Sequence, residues 1–204
     1  MEEIKKTAID SGNTRILVLG LPVISEDTSF LPENERLHFS DINSGKRKQE
    51  FLAVRKALLE LLGRYPGLEY DCNGKPFLSD KSYHISISHS KSHVATIIDP
   101  DREVGIDIEG RTDKFLRLYK RFLGETEQAA FGESLPKLQI AWSAKEALYK
   151  IIGIEAVDFT NQLQVMPFEI SGEGTIEARH IPTNRLYRVN YKQTETFTLA
   201  YCIS

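Results

Sequence analysis

Cysteine is scarce in this chain. Only Cys72 and Cys202 occur among 204 residues, and they fall in no spacing that would hold zinc or run a dithiol exchange. Two free thiols fit a reducing compartment. Basic excess is also missing: 26 Lys and Arg stand against 29 Asp and Glu, a net charge of -3. A general nucleic-acid binder would carry the opposite balance, so no nucleic-acid partner is expected. No apolar run approaches the length of a membrane span, and no membrane association is expected. The opening stretch Met1–Lys6 is mixed in charge and has no apolar signal core. A cytoplasmic setting follows as the expectation. The chain shows no Ser-His-Asp array, no zinc-type histidine pair and no phosphate-binding glycine loop.

What is present is ordinary for a globular fold: 41% hydrophobic and 27% charged residues. The length allows one large domain or two small ones. Residues 15–19 read as a buried strand closed by Gly20 and Pro22, and residues 31–45 as polar and turn-rich. A helix is expected from Lys46 to Leu62, with Ser44 as N-cap, Gly63 as stop, and Phe51, Leu52, Leu58, Leu59 and Leu62 on its apolar face. Residues 64–76 read as loop. Tyr83–Ser88 and Val94–Ile98 alternate as a hairpin. Lys114–Leu123 reads as a basic amphipathic segment, and Pro136–Ile152 as a second long helix with Ser134 as cap and Gly153 as stop. Strands are expected at Leu163–Val165, Thr175–Ala178, Leu186–Tyr191 and Thr196–Ile203.

Ser44–Gly63 and Ser134–Gly153 are equal in length, and each precedes a hairpin opening near a tyrosine, Tyr83 or Tyr187. Leu58 falls on Leu148 and Gly63 on Gly153. Amphipathic helices resemble one another in any case, so duplication and coincidence both remain open at this point. Duplication would give an N-terminal half, 1–102, and a C-terminal half, 103–204.

The stretch Val104-Gly-Ile-Asp-Ile-Glu109 has a strand's alternation. Ile106 and Ile108 then enter a core, and Asp107 and Glu109 share the other face, roughly 7 Å apart at Cα. Two such carboxylates either form a solvated acidic face or converge on a hard cation. Trp142, Glu146 and Lys150 follow at i, i+4 and i+8 on one helix side. Over the Asp107 strand, Glu146 adds a third carboxylate and Lys150 a phosphate partner; elsewhere the two form a plain surface pair. His89, in Ile85-Ser-Ile-Ser-His-Ser90, is either a turn histidine or an anion contact beside Ser88. Lys75, on the turn Asn73-Gly-Lys-Pro76, is a solvated lysine or an anion clamp. Arg55 either snorkels to the surface or points at a phosphate.

In sequence order these signals are a basic helix, Gly-Lys-Pro, Ser-His-Ser, Gly-Ile-Asp-Ile-Glu, Arg121-Phe-Leu-Gly-Glu-Thr-Glu127 and Trp142-Ser-Ala-Lys-Glu-Ala-Leu-Tyr-Lys150. Together they resemble the 4′-phosphopantetheinyl transferase superfamily, in its two-half, monomeric, synthetase-activating form. The resemblance runs from about Arg47 to Lys150 and is most specific at Gly105–Glu109 and Trp142–Lys150.

The resemblance implies an α+β fold of two similar helix-plus-antiparallel-sheet halves related by pseudo-two-fold symmetry. It implies transfer of 4′-phosphopantetheine from coenzyme A to a serine hydroxyl of an apo acyl or peptidyl carrier protein, with release of adenosine 3′,5′-bisphosphate. Mg2+, or Mn2+ in its place, is the implied cofactor, held by Asp107, Glu109 and Glu146. Glu146 or a metal-held water is the implied base, and Lys150 neutralises the pyrophosphate. Lys75 and His89 match positions that hold the 3′-phosphate, with Ser88, Arg55 and Arg47 as further candidates. Where the family often carries cofactor-touching lysines before the first helix, this chain departs from the pattern and offers only Arg36. Carrier proteins are acidic and helical, so Lys114, Arg117, Lys120 and Arg121 are the expected docking charges. The competing functions are a Mg2+-dependent phosphohydrolase and a non-catalytic coenzyme A or nucleotide-binding module.

Overall fold

A computed structural model describes residues 6–23, 25–153 and 157–204. The stretch Met1–Lys6, read for a secretion signal, lies outside the described residues apart from Lys6. The chain divides into two compact units, Met1–Arg102 and Glu103–Ser204. Both are mixed α and β with antiparallel sheets.

In the first unit, β1 (Lys6–Ser11), β2 (Thr14–Gly20), β5 (His84–His89) and β6 (His93–Asp99) form a sheet in the order β1-β2-β6-β5. Between β2 and β5 come α1 (Glu33–Asp41), α2 (Gly45–Leu62) and a small hairpin, β3 (Leu68–Tyr70) with β4 (Pro76–Leu78). The start and stop of α2 follow its sequence signals. Ser44 Oγ accepts the Arg47 N–H, and Gly63 takes a left-handed φ of 71°. Its buried residues are Leu52, Ala53, Val54, Arg55, Ala57, Leu58 and Leu61, facing Leu17, Leu19, Val94 and Ile98 of the sheet. Leu59 and Leu62 sit at the margin of that face and are only partly buried.

Two expectations need correction in this unit. Residues 31–45 are not merely turn-rich, because they contain α1. The one buried residue of α1 is Glu35, so its core anchor is a carboxylate and no apolar periodicity reveals it. Glu35 accepts from Arg55 Nε at 2.5 Å, Tyr65 Oη at 2.8 Å and the Leu68 N–H at 3.0 Å. Residues 64–76 are likewise not all loop, since three of them form β3 and pair across a turn closed by Asp71. β1 has no counterpart among the expected strands.

The second unit carries β7 (Val104–Gly110), α3 (Phe115–Leu118), a 3-10 turn (Tyr119–Arg121), α4 (Glu125–Phe131), α5 (Leu135–Ile152), β8 (Leu163–Val165), β9 (Glu173–His180), β10 (Arg185–Gln193) and β11 (Phe197–Ile203). Its sheet runs β7-β11-β10-β9-β8. The segment Lys114–Leu123 is thus not one helix but a short helix and a 3-10 turn. Phe115 and Phe122 both turn inward onto Trp142, at ring-centroid distances of 6.0 and 5.0 Å, and that packing dictates the break. Ser134 occupies the N-cap position of α5 without a side-chain cap bond, while Pro136 lies in the first turn and Gly153 closes the helix at φ 64°.

Two features fix α5 on this sheet. A Cβ on Gly105 would lie 2.0 Å from the Ala147 carbonyl oxygen, so glycine is required for β7 to lie this close to the helix. Lys145 is fully buried, with Nζ at 2.7–2.8 Å from Glu127 Oε2 and from the carbonyl oxygens of Phe122, Phe159 and Leu163. Glu127 also accepts from the N–H groups of Gly124 and Val165. One ion pair thereby joins α5, α4 and the start of β8. Burial pulls the Lys145 ammonium pKa down, and the charge of Glu127 opposes this.

Candidate active site

The alternation of β7 places Ile106 and Ile108 in the interior, at 0% and 1% exposure, and turns Asp107 and Glu109 toward α5. Asp107 is itself buried, at 6% exposure, so a solvated acidic edge is ruled out for it. Lys150 Nζ lies 3.3 Å from Asp107 Oδ1 and donates to the Ile106 carbonyl at 2.6 Å. Glu109 is gripped from two directions. Trp142 Nε1 donates to Oε1 at 2.9 Å, and Lys114 Nζ reaches both carboxylate oxygens at 3.0 and 3.1 Å.

Glu146 stands one helical turn from both Trp142 and Lys150. Burial pushes its carboxyl up to about 7, and the charges of Asp107 and Glu109 add to the rise against the opposing ammonium groups of Lys150 and Lys114. Three carboxylates and two ammonium ions therefore share one electrostatic environment. Among the described residues, no three His, Cys, Asp or Glu side chains close into a group that could hold a metal ion. The donor chemistry nonetheless suits a hard divalent cation, since the candidate ligand atoms are all carboxylate oxygens.

In the first unit, Lys75 sits on the hairpin turn where Asp71 Oδ1 accepts its backbone N–H at 2.8 Å. His89 ends β5, exposed, with Nε2 3.9 Å from Glu50 of α2. Arg47 is exposed on the first turn of the same helix, which carries no acidic residue there. His89 and the basic N-terminal turn of α2 are thus neighbours, and Ser88 precedes His89 on the strand. Arg55 neither snorkels nor faces solvent. It is 5% exposed, paired with Glu35 and stacked 3.3 Å from the Phe51 ring centroid. Its guanidinium belongs to the core of this unit. Arg36 is exposed and donates to the Leu31 carbonyl at 2.9 Å.

Of the basic residues after β7, Arg117, Lys120 and Arg121 are exposed, with Leu116 partly exposed among them. Lys114 is drawn back onto Glu109. Sequence reasoning misses both partners of Glu109. The i, i+4 spacing of Trp142 and Glu146 marks a shared helix side, but only the register of β7 on α5 shows which carboxylate the indole reaches.

Residues 103–202 match the family model of the 4′-phosphopantetheinyl transferase superfamily. The chain is 27% identical over 166 residues to the 4′-phosphopantetheinyl transferase AcpT of Salmonella typhi, covering 78% of each protein. It is 29% identical over 123 residues to an L-aminoadipate-semialdehyde dehydrogenase-phosphopantetheinyl transferase of Xenopus laevis, covering 51% of this chain and 40% of that one. Over 70 residues it is 37% identical to a holo-[acyl-carrier-protein] synthase of Limosilactobacillus reuteri, covering 26% of this chain and 60% of the relative. The matched region holds β7 and α5 with Asp107, Glu109, Glu146 and Lys150, and residues 103–202 are a domain of the 4′-phosphopantetheinyl transferase superfamily.

Proposed function

We propose that this transferase moves 4′-phosphopantetheine from coenzyme A to a serine of an apo acyl or peptidyl carrier protein, with Mg2+ as cofactor. The observation that carries the reading is the gathering of Asp107, Glu109 and Glu146 beside Lys150 on β7 and α5. Asp107, Glu109 and Glu146 would hold the cation, which supplies charge neutralisation for the pyrophosphate as its bond to the pantetheine phosphorus breaks. Lys150 offers an ammonium ion for the same developing charge. The serine oxygen forms the new bond to phosphorus, its proton passes to a base, and adenosine 3′,5′-bisphosphate departs. Glu146, or a water held by the cation, would take that proton. Lys75, His89, Ser88 and Arg47 would bind the 3′-phosphate, and Arg117, Lys120 and Arg121 the acidic carrier. Arg55 supports that region from within the core instead of touching the cofactor.

The two units also read as copies of one plan. In the first, β2, α2, β5 and β6 give the strand order β2-β6-β5; in the second, β7, α5, β10 and β11 give β7-β11-β10. Leu58 and Leu148, matched by the helix alignment, are both fully buried.

The test is to incubate the protein with coenzyme A, Mg2+ and several apo-carriers and to weigh the carriers. A phosphopantetheine adduct on the carrier serine, lost by at least a hundredfold in rate in Asp107→Ala, is expected. Absence of adduct on every carrier, or phosphate release without any carrier, would overturn the assignment.

A further inference from the structure

Glu109 has two cationic or polar partners of different mechanical character. Trp142 is boxed in by Phe115, Phe122 and Phe159 at centroid distances of 6.0, 5.0 and 5.7 Å. Three ring contacts fix the direction of its indole N–H, which donates to one oxygen, Oε1. Lys114 is different. It reaches Glu109 on a flexible four-carbon stem, its side chain remains 40% exposed, and its ammonium also lies 4.7 Å from the Phe115 ring centroid. One partner is locked by packing, and the other is free to leave for water or the ring face.

We propose that Trp142 is a positioning residue that keeps Glu109 aimed for a divalent cation, whereas Lys114 is a resident counter-ion that gives up Glu109 when the cation binds. The inference rests on the metal-site reading above. An indole bond to Oε1 leaves the remaining lone pairs of the carboxylate available, so it is compatible with coordination and orients it. An ammonium ion held against both oxygens competes for the same electrons and repels a second cation. The two side chains should therefore affect metal affinity in opposite directions. Loading the site would also free Lys114, which immediately precedes α3 and the exposed Arg117 and Lys120.

The test measures Mn2+ binding by electron paramagnetic resonance on the full chain, without coenzyme A or carrier. Trp142→Phe keeps the ring packing and removes the N–H; its Mn2+ dissociation constant should rise about tenfold. Lys114→Met should lower that constant several-fold. Because Trp142 is the sole tryptophan, a Mg2+ titration of the unaltered protein should also shift its fluorescence, and this readout needs no variant to fold. If the unaltered protein fails to bind Mn2+, or binds it equally after Asp107→Ala, the metal-site reading itself falls. If binding is present and weakened by Asp107→Ala, two results would sink the present inference. One is Trp142→Phe and Lys114→Met moving affinity in the same direction or not at all; the other is a tryptophan emission blind to Mg2+.

Discussion

Glu146 is the residue whose surroundings most change its chemistry. Its folded value of about 7 lies above the ordinary carboxyl value of 4.5, so the folded state holds a proton that the unfolded chain releases. That contribution is complete below about pH 4.5 and is lost as pH rises through about 7. In metal-free protein, the stability difference between Glu146→Gln and the unaltered chain should therefore grow in favour of the variant by roughly 1–3 kcal/mol from pH 4.5 to 7.5. Urea melts in EDTA across that range measure it, and parallel curves for the two proteins would contradict it. At this scale the sequence was partly readable. Asp107, Glu109, Glu146 and Lys150 declare their sides by strand and helix period. Arg55 does not, because nothing in its own stretch indicates that Glu35, on a helix without an apolar face, will neutralise it.

Among the elements, β7 and α5 set the site because they touch backbone to backbone at Gly105 and Ala147. Gly105→Ala places a methyl group against a carbonyl that cannot yield without moving the helix. A loss of about 2–4 kcal/mol in denaturant stability is expected, together with weaker Mn2+ binding as Glu146 withdraws from the strand. Unchanged stability would mean that the helix slides freely on the sheet. Both long helices were legible because cap, apolar stripe and terminal glycine agree. α1, α4 and the broken 114–123 segment were not: one is anchored by a carboxylate, one is only seven residues long, and the last is bent by two phenylalanines converging on Trp142.

Across the whole molecule, a net charge of -3 would not attract an acidic carrier at long range, so the docking proposed above would draw on a local patch. Reversing both Arg117 and Lys120 to glutamate should raise the carrier KM about tenfold and flatten its dependence on salt, with the coenzyme A KM unchanged. An unaltered carrier KM would move the docking surface elsewhere. Most strands of the second unit could be read from alternation, whereas the α+β class came with the family resemblance. β1 escaped because its own residues, Lys6-Thr-Ala-Ile-Asp-Ser11, carry no periodicity strong enough to separate a strand from an ordinary polar stretch.

The burial of Lys145 has a kinetic consequence. Its ammonium is surrounded by protein oxygens and meets no solvent in the folded state, so an amine-reactive label can reach it only while α4, α5 and the start of β8 are parted. Other lysines, such as Lys46 and Lys120, stand in water and would be modified at once. The slow appearance of label on Lys145 would then keep time for the opening of the second unit.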